Sequence, residues 1–298
     1  MRRRNAISRS LEDRVLDTVN IVLLVIIAFI TMYPFYYILI LSFNDGGDAI
    51  RGGIYFWPRS FSLENFQQFF ESSKWMRSLI VTVARTVAGT AIGVMFTCVV
   101  SYGLSKKDLV YHGIYMKILI IAMYFSGGLI PYYILLKSLR LLNTFAVYVI
   151  PGALNIFFVM ICISFFRDIP EELIESAYLD GSTEFNTFLK IVLPVSLPLL
   201  ATMTLFIGVG HWNSWIDSAY YVRSENLRTL SYRMMEVINQ TMQPEDPTAR
   251  LYAAESSRAT TQSMQMAAMV VALGPIMCVY PFLQKYFAKG IMLGAVKG

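Results

Sequence analysis

The stretch that decides the fold is RDIPEELIESAYLDGSTEFNTFLKIVLP, residues 167–194, a charged segment that lies between two long apolar runs. Its residue order predicts two short helices with a break between them. Pro170 suits the first position of a helix, and the glutamates that follow it favour the positive end of the helix dipole. Gly181 can end this helix in the left-handed conformation, and Ser182 or Thr183 can cap the next one.

Both predicted helices carry more apolar side chains than a solvated loop needs. An exposed apolar stripe indicates either a surface that binds a partner or a surface that packs against the rest of the chain. The residue pattern leaves both explanations open. The apolar positions are Leu173, Ile174, Ala177 and Tyr178 in the first helix, and Phe185, Phe188, Leu189 and Val192 in the second.

Composition places these helices in a membrane protein. The chain has 298 residues, of which 56% are hydrophobic and 15% charged, and its mean hydropathy is +0.52. An average soluble domain has about 25% charged residues. The composition therefore excludes a disordered chain, a collagen-like chain and an ordinary cytosolic enzyme. It is typical of a polytopic membrane protein, in which each spanning helix needs about 20 apolar residues.

Six apolar runs follow one another along the chain, and each is predicted to span the membrane. With the N terminus inside, thirteen lysines and arginines fall on the shorter inner segments and eleven on longer outer ones, while Arg85 lies within the second span. This distribution places both termini in the cytoplasm. Glycine and proline interrupt several runs and predict bends. The runs are residues 20–43, 78–104, 118–136, 145–166, 191–216 and 264–287, and the interruptions include Gly127, Gly128, Pro131, Pro151, Gly152, Pro194, Pro198, Gly274 and Pro275.

The segment 167–194 resembles the EAA loop of the permease subunits of ATP-binding-cassette (ABC) importers. The family pattern is Glu-Ala-Ala, three residues, Gly, nine residues, Ile, any residue, Leu-Pro. Here it reads Glu175-Ser176-Ala177, then Gly181, then Ile191-Val192-Leu193-Pro194 at the same spacings. The one departure is Ser176, which is small like the alanine that it replaces.

Three other stretches extend the resemblance toward the C terminus. The tail, residues 290–298, is similar to the end of the MalG-type subunit of maltose-class importers. FSGGLIP at residues 125–131 and GHWNSW at residues 210–215 resemble the LplC-type branch, which is associated with larger oligosaccharides and polysaccharide fragments.

The resemblance implies a fold and a division of the chain. The fold is that of an all-α polytopic membrane protein with six transmembrane helices, the type I ABC importer (MetI-like) fold, with a cytoplasmic EAA coupling helix. The parts are a cytoplasmic tail (residues 1–19), a first transmembrane helix (20–43), a MetI-like core (77–287) that includes the EAA loop (168–194), and a cytoplasmic tail (288–298).

The implied function is that of a permease subunit in the cytoplasmic membrane, which moves a carbohydrate into the cell by alternating access. The implied partners are a second homologous permease, two ATPase subunits that hold ATP and magnesium, and an extracytoplasmic substrate-binding protein. The chain itself has no G-x-x-x-x-G-K phosphate loop. We therefore expect no catalytic residue, metal or cofactor on it, and no nucleic-acid partner. The ATPase contacts would be Glu175, Ser176, Ala177, Asp180, Gly181, Ile191, Leu193 and Pro194, with Ala295, Val296, Lys297 and Gly298 at the C terminus.

A weaker pattern concerns the substrate path. His211, Trp212, Asn213 and Trp215 near the end of the fifth run combine rings that can stack on a sugar with groups that can hydrogen-bond to it. The alternative is an aromatic belt at the membrane interface. Arg85 has no obvious acidic partner within a span, and could snorkel, pair or meet an acidic sugar.

Three other functions are alternatives to a carbohydrate importer. An ABC importer of peptides or amino acids shares the EAA loop. A secondary transporter that works alone often shows inverted repeats and paired charges, and a membrane-embedded enzyme needs a nucleophile with a base or a metal cluster.

Overall fold

The computed structural model describes residues 11–242 and 261–295, and these residues are largely helical. They form two compact units, one built from residues 11–69 and 261–270, and the other from residues 70–242 and 271–295. The helices are α1 (Leu11–Ser42), α2 (Gly46–Ile50), α3 (Glu64–Glu71), α4 (Ser73–Ser105), α5 (His112–Tyr124), α6 (Leu129–Ser138), α7 (Ile156–Arg167), α8 (Glu171–Leu179), α9 (Glu184–Thr187), α10 (Leu193–Val195), α11 (Leu197–Asn213), α12 (Ile216–Tyr221), α13 (Leu230–Met242) and α14 (Thr261–Ala295).

In the first unit, buried polar groups fix the turn that ends α1. Asn65 is fully buried, and its Nδ2 donates to the carbonyl oxygens of Ser42 at 3.0 Å and of Asn44 at 2.8 Å. Helix termini leave carbonyl groups without partners inside the helix, and these bonds satisfy two backbone acceptors at this end of α1. The apolar side chains of α1 itself are exposed along most of its length, which suits a helix surrounded by lipid.

In the second unit, α4 packs closely against α11 because small residues face the contact. Gly89 and Gly93 form a G-x-x-x-G pattern on α4, and a Cβ atom placed on Gly89 would lie 2.5 Å from Nε2 of His211. A Cβ atom placed on Gly208 of α11 would lie 3.3 Å from Oγ1 of Thr90. Membrane helices associate through small residues that let their backbones approach closely.

Two apolar clusters support this unit. One is formed by residues of α6, α4 and the segments around residues 147–149 and 221–222. The other joins α4, α7 and α11 to the segment 184–195. This cluster anchors the charged segment 167–194 in the helical bundle. The members of this second cluster are Cys98, Phe158, Cys162, Phe166, Ile169, Phe188, Val192, Leu199 and Met203.

The described residues confirm an all-α chain with several membrane-spanning helices. Three helical stretches are long and apolar enough to span a bilayer: Glu12–Ser42, Ser73–Ser105 and Gln262–Val279. Two bent pairs, α5 with α6 and the stretch Glu184–Val195 with α11, bring the number to five if each pair counts as one span. The number six remains a prediction.

Glycine and proline bend the predicted spans more strongly than the sequence suggested. The third run turns by 116° between α5 and α6, where Gly128 has a φ of +82° that other residues adopt with difficulty. The fourth run is not one helix. It consists of a 3₁₀ turn, Phe145–Tyr148, and of α7, which starts where Asn155 Oδ1 accepts the backbone N–H of Phe158 at 3.2 Å.

Candidate functional site

The segment 167–194 folds into two helices with a break, as its residue order predicts. Pro170 lies one position before α8 rather than at its first helical residue. Gly181 has a φ of +79°, and Thr183 caps α9, with its Oγ1 accepting the backbone N–H of Asn186 at 3.4 Å. The left-handed glycine turns the chain between the two helices, so its position in the pattern has a backbone reason.

The side chains on the outer side of this turn combine negative charge with apolar surface. Leu179 is 88% exposed and Phe185 61% exposed, and the carboxylates of Glu172, Glu175 and Asp180 are exposed around them. We call these five residues the loop face. It gives the loop exposed apolar side chains together with exposed acidic ones.

The other predicted contact residues of the loop do not all share this exposure. Ser176 and Gly181 are exposed, whereas Ala177 is 6% exposed and faces the interior. Ile191 and Leu193 are half-buried and flank the buried Val192, and Pro194 is exposed. The second half of the pattern therefore anchors the loop in the bundle, while the first half carries most of the exposed surface.

A group of four side chains, which sequence analysis missed, holds the loop on the end of α4. Lys106 Nζ lies 2.9 Å from Oε2 of Glu184 and donates to the hydroxyl of Tyr178 at 3.0 Å. The Tyr102 hydroxyl donates to the same Glu184 oxygen at 2.9 Å, and Lys106 lies 4.6 Å from the centre of the Tyr102 ring. We call these residues the Lys106 cluster.

Electrostatics keeps Lys106 charged in this cluster. Burial lowers the pKa of its ammonium group, but hydrogen bonds with Tyr102, Glu184 and Tyr178 outweigh burial and raise the pKa above its usual value. The neighbouring Lys107 makes a simpler pair, with its Nζ 2.5 Å from Oε1 of Glu171, and both side chains are mostly exposed. The hydrogen bond from Lys107 lowers the pKa of Glu171.

Arg85 has the acidic partner that the sequence did not reveal. Its side chain is 2% exposed and forms an ion pair with Asp217, while its Nη1 donates to the carbonyl oxygen of Ser214 at 3.1 Å. Its guanidinium group also lies 4.7 Å from the centre of the Tyr148 ring. Of the three possibilities for Arg85, the structure shows pairing. Asp217 lies just beyond the predicted end of the fifth run, so the runs alone did not connect the two residues.

The four candidate residues of the substrate path fall into two groups. His211 and Trp212 are buried: His211 lies against Gly89, and Trp212 Nε1 donates to the carbonyl oxygen of Ala272 at 3.1 Å. Asn213 is exposed and Trp215 half-exposed. The first pair therefore packs within the bundle, and the second pair is the more exposed one.

An apolar cavity of about 1030 Å³ lies in the second unit, between α4, α11 and α14. Trp212, Pro275 and Ile276 contribute to its wall, and Trp212 is the one path candidate that lines it. Thr86 and Thr90 also line the cavity, and their hydroxyl groups are buried without a hydrogen-bond partner. Such a lining suits apolar contacts better than a sugar, which needs many hydrogen-bonding groups.

Comparison with known proteins identifies the class. No family model matches the chain. It is 36% identical over 286 residues to protein LplC of Bacillus subtilis (strain 168), covering 96% of both chains. It is 34% identical over 288 residues to the polygalacturonan/rhamnogalacturonan transport system permease protein YtcP of the same strain, covering 97% of this chain and 100% of the relative.

A solved structure matches along nearly the whole chain. In the crystal structure of a bacterial ABC transporter involved in the import of the acidic polysaccharide alginate, one chain superposes with a TM-score of 0.84 at 26% identity, covering 93% of this chain and 98% of that one. The chain therefore belongs to the family of ABC transporter permeases. The predicted LplC-like branch is confirmed, and the chain is a transport component rather than an enzyme.

Proposed function

We propose that the chain is the permease subunit of an ATP-driven importer that carries an oligosaccharide or polysaccharide fragment into the cytoplasm. The identity of more than 30% to a polygalacturonan/rhamnogalacturonan permease supports this substrate class, as does the likeness to an alginate importer. The chain would span the cytoplasmic membrane six times with both termini inside, and its core would be residues 77–287. A second permease and an extracytoplasmic binding protein would complete the path.

The observation that carries the coupling role is the exposure of the loop face. Leu179 lies 88% exposed between carboxylates, although a leucine in an unpartnered loop gains nothing from contact with water. A partner surface that fits these side chains offers both apolar contact area and basic groups. We assign this surface to the ATPase subunits, which bind ATP and magnesium. The tail residues proposed as a second contact, Val296, Lys297 and Gly298, lie outside the described residues, and Ala295 is described only as the end of α14.

The physical account is a shift between two conformations. ATP closes the ATPase subunits, the docked loops move with them, and the permease changes from inward-facing to outward-facing. A ligand can shift such an equilibrium only through its different affinity for the two states. The breaks at Gly128 and between α10 and α11 provide bends about which rigid helices can turn.

The test is uptake of an oligosaccharide by cells that carry Glu175→Lys or Gly181→Val. The first reverses a charge on the loop face, and the second places a branched residue at a left-handed φ. Both variants should insert in the membrane at normal levels but lose most ATP-dependent uptake, and the ATPase should co-purify with them more weakly. Gly53→Val is a matched control, because Gly53 also has a positive φ, of +74°, and an open surrounding, but lies far from the loop in sequence.

Two results would overturn the proposal. Unchanged uptake in both loop variants would show that the loop face does not couple the permease to the ATPase. Uptake of peptides or amino acids instead of oligosaccharides by the wild-type transporter would contradict the proposed substrate class.

A further inference from the structure

The Lys106 cluster links the end of α4 to both α8 and α9, in addition to the apolar cluster that anchors the segment 184–195 in the bundle. Tyr102 belongs to the last turn of α4, and Lys106 directly follows that helix. Tyr178 lies near the end of α8, and Glu184 begins α9. Lys106 thus binds one side chain on each side of the left-handed Gly181, and both bonds come from the same ammonium group.

The two bonds made by Lys106 restrain the angle between α8 and α9. A turn such as the one at Gly181 lets two helices rotate about the few dihedral angles between them, although here the backbone N–H of Ser182 also donates to the carbonyl oxygen of Ala177 at 2.9 Å across the turn. Two bonds from one nitrogen, at 2.9 Å to Glu184 and 3.0 Å to Tyr178, restrain that rotation and tie both helices to α4. The cluster therefore resists a displacement of α8 relative to the end of α4.

The neighbouring Lys107 provides the contrast. It carries the same charge and also contacts α8, but through one exposed carboxylate at the first residue of the helix. Exposed ion pairs of long side chains contribute little, because water and salt screen them and their side chains stay flexible. The side chain of Lys106 is 27% exposed, against 75% for Lys107.

We propose that Lys106 is a positioning residue for transport: it holds the loop face at a fixed angle to α4, so that movement of the docked loop is transmitted to that helix. The proposal rests on the proposed function of the loop face. Lys106 itself would touch neither the ATPase nor the substrate, and would act through Tyr178 and Glu184.

The experiment compares Lys106→Met, Lys106→Arg and Lys107→Met in the complete transporter reconstituted in proteoliposomes, with its ATPases, second permease and binding protein. The readout is the number of ATP molecules hydrolysed per oligosaccharide imported, together with co-purification of the ATPase. We expect Lys106→Met to keep the ATPase bound and hydrolysing, while this ratio rises at least about fivefold, a size typical of coupling between sites.

The controls separate positioning from a general structural role. Lys107→Met should leave the ratio within about twofold of wild type, since exposed pairs contribute little. Lys106→Arg keeps the charge and the donors, and should recover most of the coupling. Tyr178→Phe keeps the ring but removes one acceptor, and should give an intermediate ratio; it carries the test if Lys106→Met fails to assemble.

An unchanged ratio in Lys106→Met, or in Tyr178→Phe where the first variant does not assemble, would overturn the proposal. An equal rise in Lys107→Met would also overturn it, because any loss of positive charge would then suffice. Absence of ATP-driven oligosaccharide uptake in the wild-type transporter is a different failure, and would instead overturn the proposed function on which this role depends.

Discussion

Two charged groups on one helix, Arg85 within α4 and Lys106 at its end, are held in different ways. They lie about 32 Å apart along the helix axis, at about 1.5 Å per residue. Arg85 is 2% exposed and is paired with Asp217, a backbone carbonyl and an aromatic ring. Lys106 is 27% exposed, and its acidic partner Glu184 is 62% exposed.

The difference in burial separates a contact on which the fold depends from one that positions a segment. A buried charge that loses its partner is costly, because nothing solvates it. A half-exposed ammonium group can exchange a protein partner for water at little cost. We therefore expect loss of the Arg85 pair to cost much more folding stability than loss of the Lys106 cluster, whose role is to position the loop rather than to hold the fold together.

The largest expected effect comes from removing the partner of the buried charge. Asp217→Ala should destabilise the permease by about 3 kcal/mol, the lower end of the cost of breaking a buried pair, because Arg85 then remains buried without a counter-charge while Asp217 itself is 32% exposed. Thermal unfolding of the purified protein in detergent measures this. The double variant Arg85→Met with Asp217→Ala should recover part of the loss. An additive loss in the double variant would mean that the two side chains do not act as a pair.

An intermediate effect should follow from changing the packing one turn away from Arg85. Gly89→Leu places a side chain where a Cβ already lies 2.5 Å from the His211 ring, and overpacking of this kind costs about 1–3 kcal/mol. Gly103→Leu is the control on the same helix, because nothing lies within 4 Å of its Cβ position. Equal melting temperatures for the two variants would contradict the close contact between α4 and α11.

The smallest effect on stability should come from the end of α4. Lys106→Met should cost no more than about 1 kcal/mol, since its charged partner Glu184 is 62% exposed. Raising the salt concentration to about 1 M should reduce this cost, but should leave the cost of Asp217→Ala nearly unchanged, because salt screens exposed charges far better than buried ones. A cost for Lys106→Met as large as that for Asp217→Ala would remove the distinction between the two clusters.

The loop was predictable because its signals are local. A proline before the first helix, a glycine at the left-handed position and a threonine cap all act within a few residues, and α8, Gly181 and Thr183 follow them. Glycine and proline marked the breaks in the third and fourth runs. They did not predict the bend angles, because an angle such as the 116° between α5 and α6 depends on what the helices pack against.

The two charged clusters were not predictable, because their partners are far apart in the chain. Arg85 and Asp217 are separated by 132 residues, and Lys106 and Tyr178 by 72. The G-x-x-x-G pattern of Gly89 and Gly93 is a local signal that could have indicated the tight face of α4. His211 was predicted as a path residue from its type and position, and its burial against Gly89 was visible only in the structure.

The sequence by itself determined the membrane class, the helical character and the EAA pattern, because hydropathy, helix caps and short spacings depend on neighbours along the chain. The tertiary structure alone decided which side of the loop is exposed, which acid neutralises Arg85, and that one lysine joins α8 and α9 to α4. These features depend on side chains that meet only after the helices have packed, and burial then sets how strongly each charge is held.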